Sequence, residues 1–342
     1  MRTNLTNQPL ILCDKPMRNV MQYTYLGEEI HELGVAASAE ATINKRYGKV
    51  KQLIFKIKYV LEDCRLNAVG GASTGLDLWE MSVVPFLYFS SECWVELKKE
   101  SLKKLKELHL LFYRCLLGCP STTPSASLFW FLGQLLPENK VMERKLLFLF
   151  HVANLPIQTV ARQIYEEQRK LEIGGLVSEC RNFLAQINVR ESLIKTASKS
   201  QWRSIIRSGI LKKNRSEVLE MCKGLKKIDY FQLKDEEFEL KEFFKKLSLK
   251  QSRTHFAIKT NMLNAKMNYM SDPRFSSEMW KCVECNQQCT TEHLKRCIKY
   301  ERLRTNMDWS NDEKVIDYFQ KVIKSREEVY DKTIPQLLYS QS

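Results

Sequence analysis

The chain has 342 residues, with 54 Lys and Arg against 40 Asp and Glu and a formal net charge of +14. Apolar residues at 44% and charged residues at 27% match a globular protein and exclude a mostly disordered or collagen-like one. Only 12 Gly and 9 Pro favour long helices over many short strands, and the positive excess favours an anionic partner.

The N-terminal stretch from Met1 to Leu10 lacks the apolar run of a signal peptide. Tyr23 to Ile30 is rich in strand formers, with Gly34 offering a turn or bulge, and predicts a short hairpin. Ile43, Tyr47, Val50, Ile54, Ile57 and Leu61 then recur at spacings of three and four, which predicts one buried helical stripe. Lys45, Lys49 and Lys56 fall on the solvated face. Gly70, Gly71 and Gly75 imitate a phosphate loop, but Leu76 and Asp77 stand where Lys and Ser or Thr are needed, so phosphate binding there is rejected.

An apolar segment, Leu78 to Trp94, follows. The next predicted helix sets Leu102, Leu105, Leu108, Phe112, Cys115 and Leu116 on one side and stops at Gly118-Cys119-Pro120. Further helices are predicted over Glu138 to Asn154, Pro156 to Lys170 and Leu176 to Gln186. The apolar runs Met81 to Phe89 and Leu146 to Leu155 are too short to span a bilayer, so a soluble protein is expected.

From Lys195 to Lys266 there are eighteen Lys and Arg against eight Asp and Glu, so most of the net charge originates here. Trp202, Tyr230, Phe231, Phe238, Phe243, Phe244 and Phe256 are interleaved with it. Cations release counterions from phosphate and rings stack on bases, so such a stretch suits a nucleic-acid strand. The rings are expected to belong to the core. The segregated charge is expected to be functional.

Cys282, Cys285, His293 and Cys297 form a Cys-x2-Cys-x7-His-x3-Cys array. The first pair presents two sulfurs to one ion, and His293 and Cys297 sit one helical turn apart on a common face. Three thiolates and an imidazole select Zn2+, and four filled positions make the site structural rather than catalytic. Cys289 is a competing thiol. The remaining seven of eleven cysteines are scattered, as buried thiols of a reducing compartment, nucleus or cytoplasm, would be. No Asp-Asp pair, nucleophile elbow or His-Glu-x-x-His pair occurs, and His109 and His151 are expected at the edge of the core.

Several segments together resemble the C-terminal part of a non-long-terminal-repeat, LINE-like, retrotransposon reverse transcriptase. They are Tyr25-Leu26-Gly27 with Ile30, Val83 to Tyr88 with Glu92-Cys93-Trp94, Leu116 to Pro124, Ile164 to Gln168, Gly175 to Cys180, Ser252 to Thr260, the Cys-Cys-His-Cys array and Tyr300 to Arg304. The resemblance implies a primer-gripping hairpin, a helical thumb and a knuckle that holds RNA or DNA. It departs from the family where activity is concerned: the Asp-Asp box that would hold two Mg2+ ions about 4 Å apart is absent, and no Pro-Asp pair follows Cys297. No enzymatic activity is expected of this chain on its own; it would be part of an RNA-directed DNA polymerase if a palm lies upstream.

The expected fold is mostly α. A hairpin occupies 1–36, a helical thumb-like body 37–190, a basic helical linker 191–275, a zinc knuckle 276–304 and a C-terminal helix and tail 305–342. Zn2+ is expected on Cys282, Cys285, His293 and Cys297. RNA or DNA phosphates are expected on Lys250, Arg253, Lys259 and Lys266, with neither a membrane nor a small-molecule substrate as partner. The alternative is a helical, zinc-containing protein-interaction scaffold or a retroelement remnant without function.

Overall fold

A computed structural model describes residues 11–12, 15–16, 20–63, 69–121, 123–171, 174–225, 233, 236–260, 282, 285, 287, 290–305 and 307–339. The protein is mostly helical with a short antiparallel hairpin near its N-terminal end, as the sequence predicts, and a second, two-residue strand pair that it does not. Strand β1 (Ile11–Leu12) pairs with β2 (Lys15–Pro16), and β3 (Gln22–Tyr25) with β4 (Glu28–His31). Then come α1 (Val35–Asp63), α2 (Gly71–Leu78), a π-helical turn (Trp79–Val83), α3 (Val84–Leu87), α4 (Lys99–Leu117) and α5 (Ser125–Phe131). They are followed by α6 (Pro137–Ala153), α7 (Val160–Leu171), α8 (Leu176–Gln186), α9 (Leu193–Thr196) and α10 (Lys199–Cys222). The last are α11 (Phe243–Lys246), α12 (Leu249–Lys259), α13 (Thr291–Arg296), α14 (Glu301–Arg304) and α15 (Asp312–Tyr339). Among the described residues, no helix is long and apolar enough to cross a membrane.

Two compact units are assembled from separate stretches. One comprises Met1–Lys51, Pro85–Leu108 and Pro137–Ile210; the other comprises Gln52–Val84, His109–Leu136 and Leu211–Ser342. The serial body over 37–190 and linker over 191–275 do not coincide with these units. Helical periodicity reports which face is buried, not which distant segment covers it.

In the first unit, the β3–β4 hairpin turns at Leu26 and Gly27, both with positive φ (48° and 84°), the two-residue turn that matches strand twist. Gly34, expected to offer a turn or bulge, has φ 99° and closes a turn before α1, its N–H donating to the His31 carbonyl at 3.0 Å. Ile43 and Val50 of α1 are buried as predicted, and so is Ala39, which the stripe did not include. Arg46 is buried among them. Its Nη2 donates to the Gly27 carbonyl at 3.0 Å and to Glu28, and its Nη1 to the Phe89 carbonyl at 2.8 Å. The guanidinium also lies over the rings of Phe86, Phe89 and Trp94, so one cation holds the hairpin turn against the segment that follows α3. Elsewhere in this unit Trp202 of α10 is fully buried, stacks on Phe150 at 5.5 Å and donates from Nε1 to the Leu146 carbonyl at 3.1 Å.

The core of the second unit is aromatic. Trp79 stacks on Phe112 with ring centres 4.5 Å apart, and His109 meets Trp79 edge-on at 5.1 Å. His109 Nδ1 is 2.9 Å from the Tyr113 hydroxyl, and the imidazole is fully buried; it lies inside the core rather than at its edge. Gly75 is a packing residue: a Cβ there would come within 2.4 Å of Leu116 Cδ1. Helix α4 ends where predicted, at Gly118 with φ 59°, and the Cys119 N–H donates back to the Arg114 carbonyl at 3.2 Å, a left-handed glycine stop. Helix α12 starts with a capping box between Ser248 and Gln251. Phe244 and Phe256 are fully buried and Phe238 packs edge-on against Trp130 at 5.4 Å, so these rings belong to the core, as expected. Tyr230 and Phe231 lie outside the described residues.

Candidate metal centre and basic surface

Helix α13 begins after Thr290, whose Oγ1 accepts the His293 N–H at 2.9 Å, a side-chain cap that satisfies an otherwise orphan donor. At its other end the Cys297 N–H donates to the His293 carbonyl at 2.8 Å. One helical turn therefore puts the two ligand groups on one face, as their spacing predicts. Cys282 approaches from the preceding loop, where its N–H donates to the Gln287 carbonyl at 2.7 Å.

The Sγ atoms of Cys282, Cys285 and Cys297 and the imidazole of His293 all lie within 4.8 Å of one another. Cys282 and Cys297 Sγ are 3.8 Å apart, and Cys285 Sγ is 3.3 Å from His293 Nε2. A tetrahedral ion with metal–sulfur bonds of about 2.3 Å requires sulfurs about 3.8 Å apart, so the four residues fit a metal ion and are compatible with zinc. Burial, with the neighbouring Cys282 and Cys285 thiols, pushes the Cys297 thiol up to about 12. A thiolate at Cys297 is therefore favoured by a cation beside it. Cys289 lies outside the described residues.

The platform under this site comes from the C-terminal helix, expected over 305–342 as a part separate from the knuckle. Tyr318, Phe319 and Val322 of α15 pack with Cys282, Leu294, Cys297 and Tyr300 in one buried cluster, against which Ala257 and Ile258 of α12 also lie. The Tyr318 hydroxyl donates to the Leu294 carbonyl at 2.6 Å. Arg304 Nη1 donates to the carbonyls of Cys297 and Lys295, at 2.7 and 3.0 Å. A signal for this platform existed in the apolar spacing of Val315, Ile316, Phe319, Val322 and Ile323, one side of a helix with nothing nearby in sequence to cover it.

The residues expected to contact phosphate fall into three groups. Lys250 and Lys259 are exposed on α12 and make no ion pair among the described residues. Arg253 is turned inward: its Nε donates to the Leu116 carbonyl at 2.9 Å and its Nη2 to the Cys115 carbonyl at 3.2 Å, which places a cation on the C-terminal carbonyls of α4. Lys266 lies outside the described residues. Elsewhere in the basic stretch, Arg207 pairs with Glu143 at 2.8 Å, Lys241 with Glu236 at 2.8 Å and Lys245 with Glu242 at 3.2 Å. Lys199, Arg203 and Lys212 are exposed and make no ion pair among the described residues.

Comparison with known protein families, with curated proteins and with solved structures finds no match to this chain.

Proposed function

We propose that this protein binds RNA or DNA, and that a structural zinc ion holds its knuckle, as the resemblance to the thumb and knuckle of LINE-like reverse transcriptases implies. Cys282, Cys285, His293 and Cys297 would hold the ion, which supplies the positive charge that three thiolates, two of them buried, need. With all four positions taken by protein, it activates no water. Lys250 and Lys259 contribute phosphate contacts directly, together with Lys266, while Arg253 keeps α12 docked on the end of α4.

The observation that supports the reading is the segregation of charge: the stretch from Lys195 to Lys266 holds most of a +14 excess, with several exposed cations that make no ion pair among the described residues. The test is binding of labelled RNA and DNA oligonucleotides to the full chain at physiological salt, with polyglutamate as a competitor. Retention of the oligonucleotide supports the reading; its complete displacement by polyglutamate contradicts it. A second reading, a helical scaffold for another protein, draws on the β3–β4 hairpin, where Tyr23, Tyr25, Leu26 and Ile30 are all more than half exposed. A scaffold would ignore the oligonucleotides.

A further inference from the structure

Helix α10 opens with a repeat that the sequence reading did not single out. Lys199-Ser200, Arg203-Ser204 and Arg207-Ser208 recur every four residues, and all six residues are exposed. The same turns bury Trp202, Ile206 and Ile210. The buried residues fix which side of the helix faces the core, so the cations form one column beside that side and the serines a second, parallel column. Successive rungs are about 6 Å apart along the axis.

Like charges at this spacing destabilise a helix, and no Asp or Glu occurs between Glu191 and Glu217 to relieve them. Arg207 shares one donor with Glu143; Lys199 and Arg203 make no ion pair among the described residues. Ser198 and Gln201 cap the helix reciprocally, Gln201 N–H to Ser198 Oγ at 3.3 Å and Ser198 N–H to Gln201 Oε1 at 2.9 Å. Trp202 anchors the next turn through the Leu146 carbonyl. The repelling column is therefore held in place by packing and capping. No aromatic ring is exposed between Lys199 and Ser208, so this segment offers no aromatic platform for a base.

We infer that the first three turns of α10 form a track for the phosphodiester backbone of a single-stranded nucleic acid, each rung offering one cation to a phosphate, with Ser204 and Ser208 adding hydroxyl donors while the Ser200 hydroxyl is shared with Ser198 Oγ at 3.1 Å. This rests on the nucleic-acid reading above and adds where the strand runs. It also makes contact at this track independent of base sequence.

The test compares the full chain, a K199Q/R203Q/R207Q variant and a charge-matched control, K98Q/K170Q/K321Q, whose lysines are exposed and sit in surface ion pairs. Affinity for single-stranded RNA and DNA of equal length is measured across a salt series, with helix content checked by circular dichroism. For single strands each lost phosphate contact lowers the slope of log K against log salt by about 0.7, so the track variant should lose about 2 in slope and on the order of 100-fold in affinity at 0.1 M salt. The control should change by less than a third of that. A track variant equal to the control overturns this inference while leaving the nucleic-acid reading standing; a parent chain that binds neither oligonucleotide overturns both. If the triple variant loses helix content, the single substitutions R203Q and K199Q decide, each expected to lower the slope by about 0.7, and unchanged slopes overturn the track.

Discussion

Arg253 and Leu116 are 137 residues apart in sequence, yet Arg253 Nε donates to the Leu116 carbonyl at 2.9 Å. This bond joins α12 to the end of α4, and it accounts for Gly118 beyond its own turn: a Cβ at Gly118 would stand 3.2 Å from Arg253 Cδ and Nε. Helix stop and arginine cap form one device. A basic residue in a basic stretch here serves helix docking.

Arg253→Gln should cost about 1.5 to 3 kcal/mol, the range for hydrogen bonds made by a charged donor, because two C-terminal carbonyls lose their partner. Urea unfolding measures this. A substitution that leaves the midpoint unchanged while weakening oligonucleotide binding would show that Arg253 contacts phosphate instead.

Gly133 should tolerate no side chain. Its φ is 60°, and a Cβ would come within 2.4 Å of the backbone at Glu239 and Leu240, where Leu132 and Leu240 form a β-bridge. Backbone on both sides cannot yield as a flexible side chain would. Gly133→Ala should destabilise by at least about 2 kcal/mol, whereas Gly27→Ala, with nothing within 4 Å, should lose only what its positive φ imposes. Denaturation midpoints of the two variants test the contrast.

Glu29 gives acid sensitivity a specific source. Its carboxylate accepts from Lys45, from Gln22 Nε2 at 2.6 Å and from Thr24 Oγ1 at 2.8 Å, which together lower it from 4.5 to about 2. A carboxyl lowered in the folded state stabilises fully above its unfolded value and loses that contribution as pH falls toward its folded value. Stability should therefore decline between pH 4.5 and about 2, and Glu29→Gln should remove this part of the decline. Equal pH dependence in parent and variant over this window would assign acid sensitivity elsewhere.

Metal removal should loosen the cluster shared by the knuckle and α15. Trp309 reports on it, its ring lying 5.3 Å from that of Tyr318. A strong chelator should shift Trp309 emission and expose Cys282, Cys285 and Cys297 to thiol reagents, and zinc should reverse both. The apparent metal affinity should fall with acidification, since protons compete for the thiolates. Chelation that changes neither emission nor thiol reactivity would show that the cluster stands without an ion.

The sequence revealed whatever was written in local spacing. The α1 stripe, the Gly118 stop and the Cys-x2-Cys-x7-His-x3-Cys array each repeat a short-range rule, and each reappears in space. Arg46 escaped because a cation inside an apolar stripe reads as surface until its carbonyl partners at Gly27 and Phe89 are known. The support under the knuckle escaped for the same reason: Tyr318, Phe319 and Val322 show an apolar side but not what it covers. His109 gave no sign of its depth, since one imidazole alternates with apolar residues at an edge or in a core alike.

The most direct measurement is the affinity of the full chain for a fluorescent single-stranded oligonucleotide between 50 and about 200 mM salt, the range over which phosphate contacts weaken most visibly. Nucleic-acid binding through exposed lysines and arginines predicts a straight line of log affinity against log salt, with a slope of about −3 or steeper, since four or more contacts contribute about 0.7 each. A flat line, or no binding at the lowest salt, would contradict it.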